Sequence, residues 1–512
     1  MKKKTRLFLI LVYLSFLGLF LYFGVRLYVF FSNGRGFLNL LISFLLLLAE
    51  AHSIIHSLGF IISIIRLRKP NANYHRHAEL DRNNLPSVTI LVPARNEPLS
   101  ILELTFISLT SLDYSNKAIF FLDGSDEEYL IANRELADKY RIGYFHPTEK
   151  PKSKAEIINL YLPMVSSKYI SVFDADQNPL PEFLTETVGL SEYSKNIGFV
   201  QTPQLYSNFN TSPIARGAAL QQSIFYENVC ESKGRSGSMF CCGTNFLMKT
   251  EVLKKVGGFD ASSVTEDFAT SVKIHSLGYR SIYYNHVRVF GLAPETLPAY
   301  LKQQFRWSAG SVGVLRRLVL DSLDGKLHLN LNQKWEYFLS ATYYFVGWSF
   351  FILMLCPILY LLFDIPSYFA SPYLYLGTFI PYYVLMLITF YATMKKRNYK
   401  MKDVFTGIIM GSMSYPVLIK STSAAILGRK VSFEITAKGQ SGKLSFWKLW
   451  PWTAMIALNL VAVSYGFFRL SENYYAIGIN MAWCLYHSFL LSHIFKLNKS
   501  PKLEINKVLD YA

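Results

Sequence analysis

"KYISVFDADQNP", residues 168–179, contains the clearest strand signal in this chain of 512 residues. The apolar run "YISVF" ends in Asp174 and Asp176, and such a run is typical of a buried strand in a mostly parallel sheet covered by helices on both faces. Side chains alternate along a strand, so both carboxylates should project the same way from its end. A solvated acidic turn is the alternative interpretation.

Two neighbouring carboxylates repel each other unless a positive group lies between them. A hard divalent cation that also binds a diphosphate would satisfy both. The sequence therefore makes Asp174 and Asp176 candidate ligands of Mg²⁺ or Mn²⁺.

Three more apolar runs end in polar residues in the same way: "SVTILVPARNE" (87–97), "KAIFFLDGSDEE" (117–128) and "IGFVQTPQ" (197–204). Helix-like stretches separate them, as in an α/β domain. Ligands of such sheets gather beyond the carboxyl ends of the strands. Asp123 and Glu97 therefore become site candidates too, with Glu97 placed where a base or a ribose would lie.

Two later stretches are predicted to be helices. "SSVTEDFATSVKIHSLGY" (262–279) offers Thr265 as an N-cap and acidic residues in the first turn. Capping alone would explain this pattern, and the functional alternative is that Asp267 takes a proton from a substrate hydroxyl.

In "QQFRW" (303–307), positions i, i+3 and i+4 place an amide, a guanidinium and an indole on one helical face. An interfacial helix with a snorkelling arginine is the alternative there.

Composition indicates an integral membrane protein with a soluble part, because 51% of the residues are hydrophobic and 16% are aromatic. A span needs roughly 20 apolar residues. Spans are predicted near residues 7–25, 38–65, 337–363, 372–394, 449–468 and 474–495. The run 404–428 contains Pro416 and Lys420 and is predicted to be an interfacial helix.

Polar residues interrupt the second predicted span at Glu50, His52 and His56. Intramembrane polar residues usually face an interior or a water path, and packing against one another is the alternative. The five cysteines show neither a CxxC pair nor metal-ligand spacing, so a zinc site or a disulfide framework is not indicated.

The formal net charge of +17 is concentrated in basic clusters beside the apolar runs, such as "MKKKTR" at the N-terminus. The positive-inside rule places both termini and the α/β segment in the cytoplasm. Topology explains the charge, so no nucleic-acid partner is expected. The predicted organisation is two spans (1–65), a cytosolic α/β domain (66–295), interfacial amphipathic helices (296–333), two spans (334–398), an interfacial helix and loop (399–448), two spans (449–496) and a tail (497–512).

The motifs Asp123-Gly, Asp174-x-Asp176, Thr265-Glu266-Asp267 and Gln303-x-x-Arg306-Trp307, in this order and followed by spans, resemble the processive family 2 glycosyltransferases, which include cellulose, chitin and hyaluronan synthases. Within that family, "FVQTPQ" (199–204), "FCCGTN" (240–245) and "FEITAKG" (433–439) are similar to bacterial cellulose synthase motifs.

The resemblance implies a GT-A catalytic domain in a bacterial plasma-membrane protein that polymerises UDP-glucose into a β-glucan. It implies that Asp123 contacts uridine, Asp174 the nucleotide and Asp176 the metal. It makes Asp267 the general base beside Glu266. The remaining residues that it places at the donor or acceptor are Cys242, Gly243, Gln303, Arg306, Trp307, Phe433, Thr436 and Lys438.

The chain departs from the family pattern in two places. Leu122 replaces the first aspartate of the usual Asp-Asp-Gly, so the uridine contact depends on Asp123 alone. "KAEIIN" (154–159) replaces Lys-Ala-Gly-Asn-x-Asn, which leaves Lys154 and Asn159 as candidates.

The expected partners are a UDP-sugar donor, a growing polysaccharide acceptor and the lipid bilayer, and homo-oligomerisation is left open. Only a short tail follows the last predicted span, so regulation through an attached cyclic-di-GMP-binding domain is not expected. In this respect the chain resembles the single-chain capsular glucan synthases. Two alternatives stay open: a hyaluronan- or chitin-type synthase that uses UDP-N-acetylglucosamine, and an inactive membrane scaffold or transporter.

Overall fold

The computed structural model describes residues 2–32, 36–68, 78–286, 288–429 and 442–499. Its strands are β1 Val88–Ala94, β2 Lys117–Asp123, β3 Gly143–Phe145, β4 Tyr169–Val172, β5 Asn178–Pro179, β6 Ile197–Gln201, β7 Leu205–Tyr206, β8 Phe246–Lys249, β9 Arg280–Tyr283 and β10 Val289–Gly291.

Its helices are α1 Lys2–Phe31, α2 Phe37–Leu67, α3 Leu99–Thr110, α4 Glu127–Lys139, α5 Lys154–Tyr161, α6 Phe183–Glu192, α7 Pro213–Ile224, α8 Glu231–Arg235, α9 Thr250–Lys255, α10 Glu266–Ser276, α11 Leu297–Leu323, α12 Leu331–Thr342, α13 Val346–Phe363, α14 Pro372–Lys395, α15 Met401–Met413, α16 Tyr415–Ile426, α17 Trp450–Arg469, α18 Tyr474–Ser492 and α19 Ile494–Leu497. A π-helical segment, Phe225–Cys230, joins α7 to α8.

The central sheet has seven strands in the order β3-β2-β1-β4-β8-β6-β9. Strand β1 pairs in parallel with β2 and β4, whereas β8 runs antiparallel to both of its neighbours. The four strands expected from the apolar runs are all present, and the sheet is mostly parallel. The predicted α/β architecture is therefore confirmed.

Both faces of this sheet are buried, which explains why its strands are continuous apolar runs rather than alternating ones. On one face Ile90 and Val92 pack with Phe106 of α3 and Phe183 of α6. On the other face Leu91 lies in a second cluster with residues of α5 and α10.

A second, three-stranded sheet with the order β5-β10-β7 lies beyond the end of β4. Strand β5 begins two residues after Asp176, and the Leu292 amide after β10 donates to Asp176 Oδ2 at 3.3 Å. The chain then enters α11. This small sheet therefore connects the end of β4 to the helix that carries "QQFRW".

Within the described ranges, five helical segments are long and apolar enough to cross a membrane: Arg6–Phe31, Phe37–Leu67, Leu331–Phe363, Pro372–Lys395 and Phe446–Arg469. They correspond to five of the six predicted spans. The sixth, 474–495, forms α18 but is not among them, since Asn480 and His487 lower its hydropathy. Helix α18 nevertheless packs against the spans, with Met481 and Cys484 in their shared core.

The segment predicted as one interfacial helix, 404–428, is instead part of two helices. Helices α15 and α16 meet at Ser414 with a bend of 51°, and the pair has the length and composition of a broken span or a re-entrant loop. Pro416 lies in the first turn of α16, where its missing N–H costs nothing and its ring prevents the preceding helix from continuing.

Buried ion pairs connect the α/β domain to the spans. Lys233 of α8 donates to Glu336 of α12 at 2.8 Å, and both side chains are almost fully buried. Glu336 also pairs with Arg66 at the end of α2. Nearby, Glu231 pairs with Arg235 and with Arg397, which follows α14. Three helices from distant parts of the chain are therefore held at one junction.

Candidate active site

A cavity of about 420 Å³ lies beyond the carboxyl ends of β1 and β4, between the α/β domain and α11. It brings together predicted residues that are far apart in the sequence: Glu97, Lys154, Asp174, Asp176, Cys242, Gly243, Glu266, Asp267, Gln303, Arg306 and Trp307. Three other predicted residues, Phe433, Thr436 and Lys438, lie outside the described residues.

Lys154 connects two walls of the cavity. It begins α5, whose N-cap is Ser153. Its ammonium forms an ion pair with Asp174 and donates to the Gly243 carbonyl at 2.6 Å. The Asp174 amide in turn donates to Thr244 Oγ1 at 3.0 Å. A positive charge is therefore fixed beside the first aspartate of the pair.

Asp176 is 5% exposed and lines the same cavity as Asp174. Among the residues that the structure describes, no group of three or more His, Cys, Asp or Glu side chains forms a metal site. Mg²⁺ in nucleotide enzymes is commonly held by one or two carboxylates, with substrate phosphates and water completing its shell. Two carboxylates in an open cavity fit that arrangement.

Glu266 and Asp267 form the first turn of α10 and line the cavity together. Burial, reinforced by the Glu266 charge, raises the pKa of Asp267 to about 7, although the Phe268 amide, Lys154 and Arg306 act in the opposite direction. Burial also raises the pKa of Glu266. A carboxylate with a pKa near neutrality suits a general base.

Gly243 makes room for Asp267. Its φ is +81°, a conformation that L side chains rarely adopt, and a Cβ atom placed there would lie 2.9 Å from Asp267 Oδ2. The glycine of "FCCGTN" therefore sets the position of the buried carboxylate.

Gly243→Ala should lower the sugar transfer that the family resemblance implies by about 10²-fold, since a displacement of about 1 Å at a reacting group can have that effect. It should also destabilise the fold by about 1–3 kcal/mol through the strained φ. Transfer rates and thermal unfolding midpoints measure the two effects.

Gly257→Ala is the matched control, because Gly257 has a φ of +83° and nothing lies within 4 Å of its Cβ position. It should show the stability loss without the loss of transfer. Equal transfer rates in both variants would contradict the role given to Gly243.

Helix α11 presents Gln303, Arg306 and Trp307 to the cavity from one face, as predicted. The helix begins at Leu297, and the side chain of its N-cap, Thr296, accepts the Ala299 amide. Pro298 lies in the first turn. Its opposite side packs along α16, where the hydroxyls of Ser308 and Ser421 hydrogen-bond. The indole therefore lies between the α/β domain and the membrane helices.

Asp123 does not line the cavity. Its carboxylate is fully buried and accepts hydrogen bonds from the Ser125 amide, Asn133 and Tyr144, each at 2.9 Å. Its neighbour Gly124 lines the cavity instead. The carboxylate thus shapes the turn after β2, and the predicted uridine contact stays a prediction that this position does not support.

Asn159 and Cys242 also have structural partners. The Asn159 side-chain amide bonds both backbone groups of Phe259 and does not line the cavity.

The backbone N–H of Cys242 donates to Gln201 Oε1 at 2.9 Å. A hydrogen bond with Cys230, together with burial, raises the pKa of the Cys242 thiol well above its usual value. The thiol therefore stays protonated and does not act as a nucleophile.

Tyr206 is a cavity residue that sequence reasoning missed. It is buried, and its hydroxyl hydrogen-bonds the side chains of Gln303 and Gln222. Asp176 and Arg306 lie close enough to act on it electrostatically. Its strand, β7, has two residues, which is too short to show any periodicity.

Comparison with known proteins agrees with this geometry. Residues 86–310 match the family described as "Glycosyltransferase like family 2". The chain is 26% identical over 424 residues to a UDP-forming cellulose synthase catalytic subunit of Pseudomonas fluorescens (strain SBW25), covering 80% of this chain and 56% of that protein. It is 24% identical over 438 residues to the corresponding subunit of cellulose synthase 1 of Komagataeibacter xylinus, covering 81% and 57%. This chain thus spans little more than half the length of these relatives.

Among solved structures, a mannosyltransferase from Pyrobaculum calidifontis in complex with GDP-Man and Mn²⁺ superposes with a TM-score of 0.53 at 17% identity, covering 76% of this chain and 100% of that one. The fold is a glycosyltransferase fold of the GT-A type. Residues 86–310 are a glycosyltransferase domain of family 2, and the chain is similar to cellulose synthase catalytic subunits along most of its length.

Proposed function

We propose that this protein is a processive, inverting glucosyltransferase that polymerises glucose from UDP-glucose into a β-glucan and conducts the product across the bacterial plasma membrane. One observation carries the proposal. A single cavity holds a carboxylate pair suited to a metal–diphosphate, a buried carboxylate suited to proton abstraction, and an indole at the junction with the spans.

The leaving diphosphate must be stabilised as its bond to the sugar breaks. Lys154 and Arg306 line the cavity and supply positive charge there. Asp174 and Asp176 would hold Mg²⁺ or Mn²⁺, which when bound neutralises charge on the phosphates. Binding of Mn²⁺ by the Pyrobaculum mannosyltransferase supports a divalent ion of this kind.

The acceptor hydroxyl must lose its proton as it attacks the sugar. Asp267 is the group that we assign to this step, because it is buried and a pKa near 7 leaves a substantial ionised fraction at neutral pH. Attack without an enzyme nucleophile inverts the anomeric centre, so an α-linked donor gives a β-linked product. Trp307 offers a flat apolar face for the acceptor pyranose.

A succession of aromatic rings supports a path for the product through the spans. Tyr300, one turn before Gln303 on α11, accepts a hydrogen bond from Ser414 at 3.3 Å, and Tyr415 follows Ser414. From there, neighbouring ring centroids are 5.4–6.0 Å apart along the series Tyr415, Phe350, His487, Trp483, Phe379 and Tyr22. The rings come from five helices, so they face the interior of the bundle.

The basic clusters beside the spans support a cytoplasmic α/β domain. With α18 taken as a sixth span, both termini lie on that same side. A nucleotide-sugar donor is then available to the cavity, and the product leaves on the opposite face. The lipid bilayer is the direct environment of the five candidate spans.

The pH dependence follows from Asp267. Because burial raises the pKa of Asp267 to about 7, the carboxylate is protonated below that pH and ionised above it. We expect kcat/KM, which reports the free enzyme, to fall as the pH drops through about 7. Steady-state rates at saturating Mn²⁺ measure this, with UDP binding followed at each pH as the control. A profile with no acidic limb would contradict the assignment.

The proposed function is tested with the purified protein in detergent, supplied with Mg²⁺ or Mn²⁺ and with either UDP-glucose or UDP-N-acetylglucosamine. Polymer that forms from UDP-glucose and is degraded by β-glucanases is the expected result, and addition of EDTA should stop its synthesis. Linkage-specific glucanases then identify the bond. Polymer from UDP-N-acetylglucosamine alone would favour a hyaluronan- or chitin-type synthase, and no transfer from either donor would reject the proposal.

A further inference from the structure

A charged cluster lies inside the first two spans, away from the catalytic cavity. Arg26 of α1 is fully buried and forms an ion pair with Glu50 of α2, which is 8% exposed. The Tyr22 hydroxyl donates to the same carboxylate. Ionisable residues are costly inside a membrane and usually mark a pathway or a binding site. The catalytic mechanism does not use any of these three residues.

The cluster lies in the half of the bundle that is remote from the α/β domain. Arg66, at the end of α2, contacts Arg235 and Glu336 at the domain junction. Glu50 is sixteen residues before Arg66 in the same helix, which corresponds to about 24 Å along its axis. The hydrocarbon core is about 30 Å thick. A chain that leaves the cavity reaches this level only near the end of its passage.

Two polar atoms at the cluster lack a hydrogen-bond partner within the described part of the chain. They are Arg26 Nη1 and Ser43 Oγ, and both are buried. The two residues are neighbours in the structure, because Arg26 Nη2 donates to the Ser43 carbonyl at 3.3 Å. Buried groups of this kind are normally satisfied by water or by a ligand. A polar molecule bound at this site would satisfy both atoms.

The charge and the surroundings of the cluster define that occupant. Arg26 and Glu50 neutralise each other, so an anion such as a phosphate gains no net attraction there, whereas neutral hydroxyls can donate and accept. Aromatic faces flank the pair, since Tyr22 stacks on Tyr382 at 5.3 Å and the guanidinium lies 5.1 Å from the centre of the Tyr368 ring. Hydroxyls together with flat apolar faces match a neutral polysaccharide.

Tyr22 is also the last ring of the aromatic series that begins beside α11. We propose that Arg26, Glu50 and Ser43 form a polymer-binding subsite near the outer end of the passage, which holds the hydroxyls of the emerging chain. This inference depends on the proposed function and assigns residues to its translocation step. In this conformation the Tyr368 ring covers the guanidinium, and the polymer would take its place.

The test compares three variants of the full-length protein in proteoliposomes. Ser43→Ala removes only the unpartnered hydroxyl. The double variant Arg26→Gln/Glu50→Gln removes both charges and keeps the site neutral. Ser53→Ala is the matched control on α2, because the Ser53 hydroxyl donates to the Ala49 carbonyl of its own helix. UDP binding and elution in gel filtration verify folding.

Two readouts separate this site from the catalytic cavity. Transfer of one glucose to cellobiose involves only the cavity and should be unchanged in all variants. Mean polymer length should fall about fivefold in Ser43→Ala, the effect of one lost hydrogen bond, and further in the double variant. Ser53→Ala should match the wild type.

Unchanged polymer length in both Ser43→Ala and the double variant would mean that water alone satisfies these groups and would overturn the subsite. A parallel loss of single transfer and polymer length would also overturn it, because the residues would then act on catalysis or folding. If the wild-type protein forms no polymer from any UDP-sugar, the proposed function itself fails.

Discussion

Asp267→Asn should abolish polymer formation. The amide keeps the size of the side chain and can still accept the Phe268 amide, which bonds Asp267 Oδ1 at 2.8 Å. It cannot take a proton from the acceptor hydroxyl, and loss of general-base catalysis typically lowers rates by about 10²–10⁴-fold. Radiolabelled glucose incorporated into polymer measures the loss.

Binding of UDP should survive in this variant, because Asp267 is assigned to the acceptor hydroxyl and not to the nucleotide. Calorimetric titration with UDP and Mn²⁺ provides that control. If Asp267→Asn turns over at the wild-type rate, the base has been assigned wrongly, and Glu266→Gln becomes the next variant to measure, since Glu266 lines the same cavity.

Asp176→Asn should remove metal-dependent catalysis. A bound divalent ion contributes several kcal/mol of charge stabilisation, so its loss should lower transfer by about 10³-fold or more. The amide retains an oxygen for the Leu292 N–H, which should preserve the connection to the small sheet. Electron paramagnetic resonance of Mn²⁺ in the presence of UDP measures the ion that remains bound.

Asp324→Asn is the matched control, because Asp324 is exposed at the end of α11 and pairs with Lys326. It should bind Mn²⁺–UDP and transfer sugar like the wild type. Full Mn²⁺ affinity in Asp176→Asn would show that this carboxylate is not a ligand, even if activity were lost.

Much of the fold was predictable because its strands are continuous apolar runs with polar ends. Asp174 and Asp176 could be placed at a sheet edge since every parallel strand ends on the same side. Gln303, Arg306 and Trp307 could be placed on one face since helical spacing alone determines it. Their convergence in one cavity follows from how α11 packs against the sheet, which the family resemblance implied and the structure shows.

What the sequence did not reveal depends on tertiary contacts. Whether Asp123 faces the cavity or the turn is decided by Asn133 and Tyr144, which come from other elements. The importance of Gly243 depends on how closely Asp267 approaches it. Pro416 explains why the helix breaks at Ser414, but the sequence does not show how the two resulting helices are placed, because that depends on the packing of α16 along α11.

Under the proposed function, the buried charges at α8 limit how a polymer could advance through the protein. Separating Lys233 from Glu336 would leave an uncompensated charge in an apolar setting, at a cost of about 3–5 kcal/mol. Rocking the α/β domain against the spans would incur that cost in every cycle. Advance by small side-chain and loop displacements, with the α/β domain and the spans fixed relative to each other, would avoid this free-energy cost.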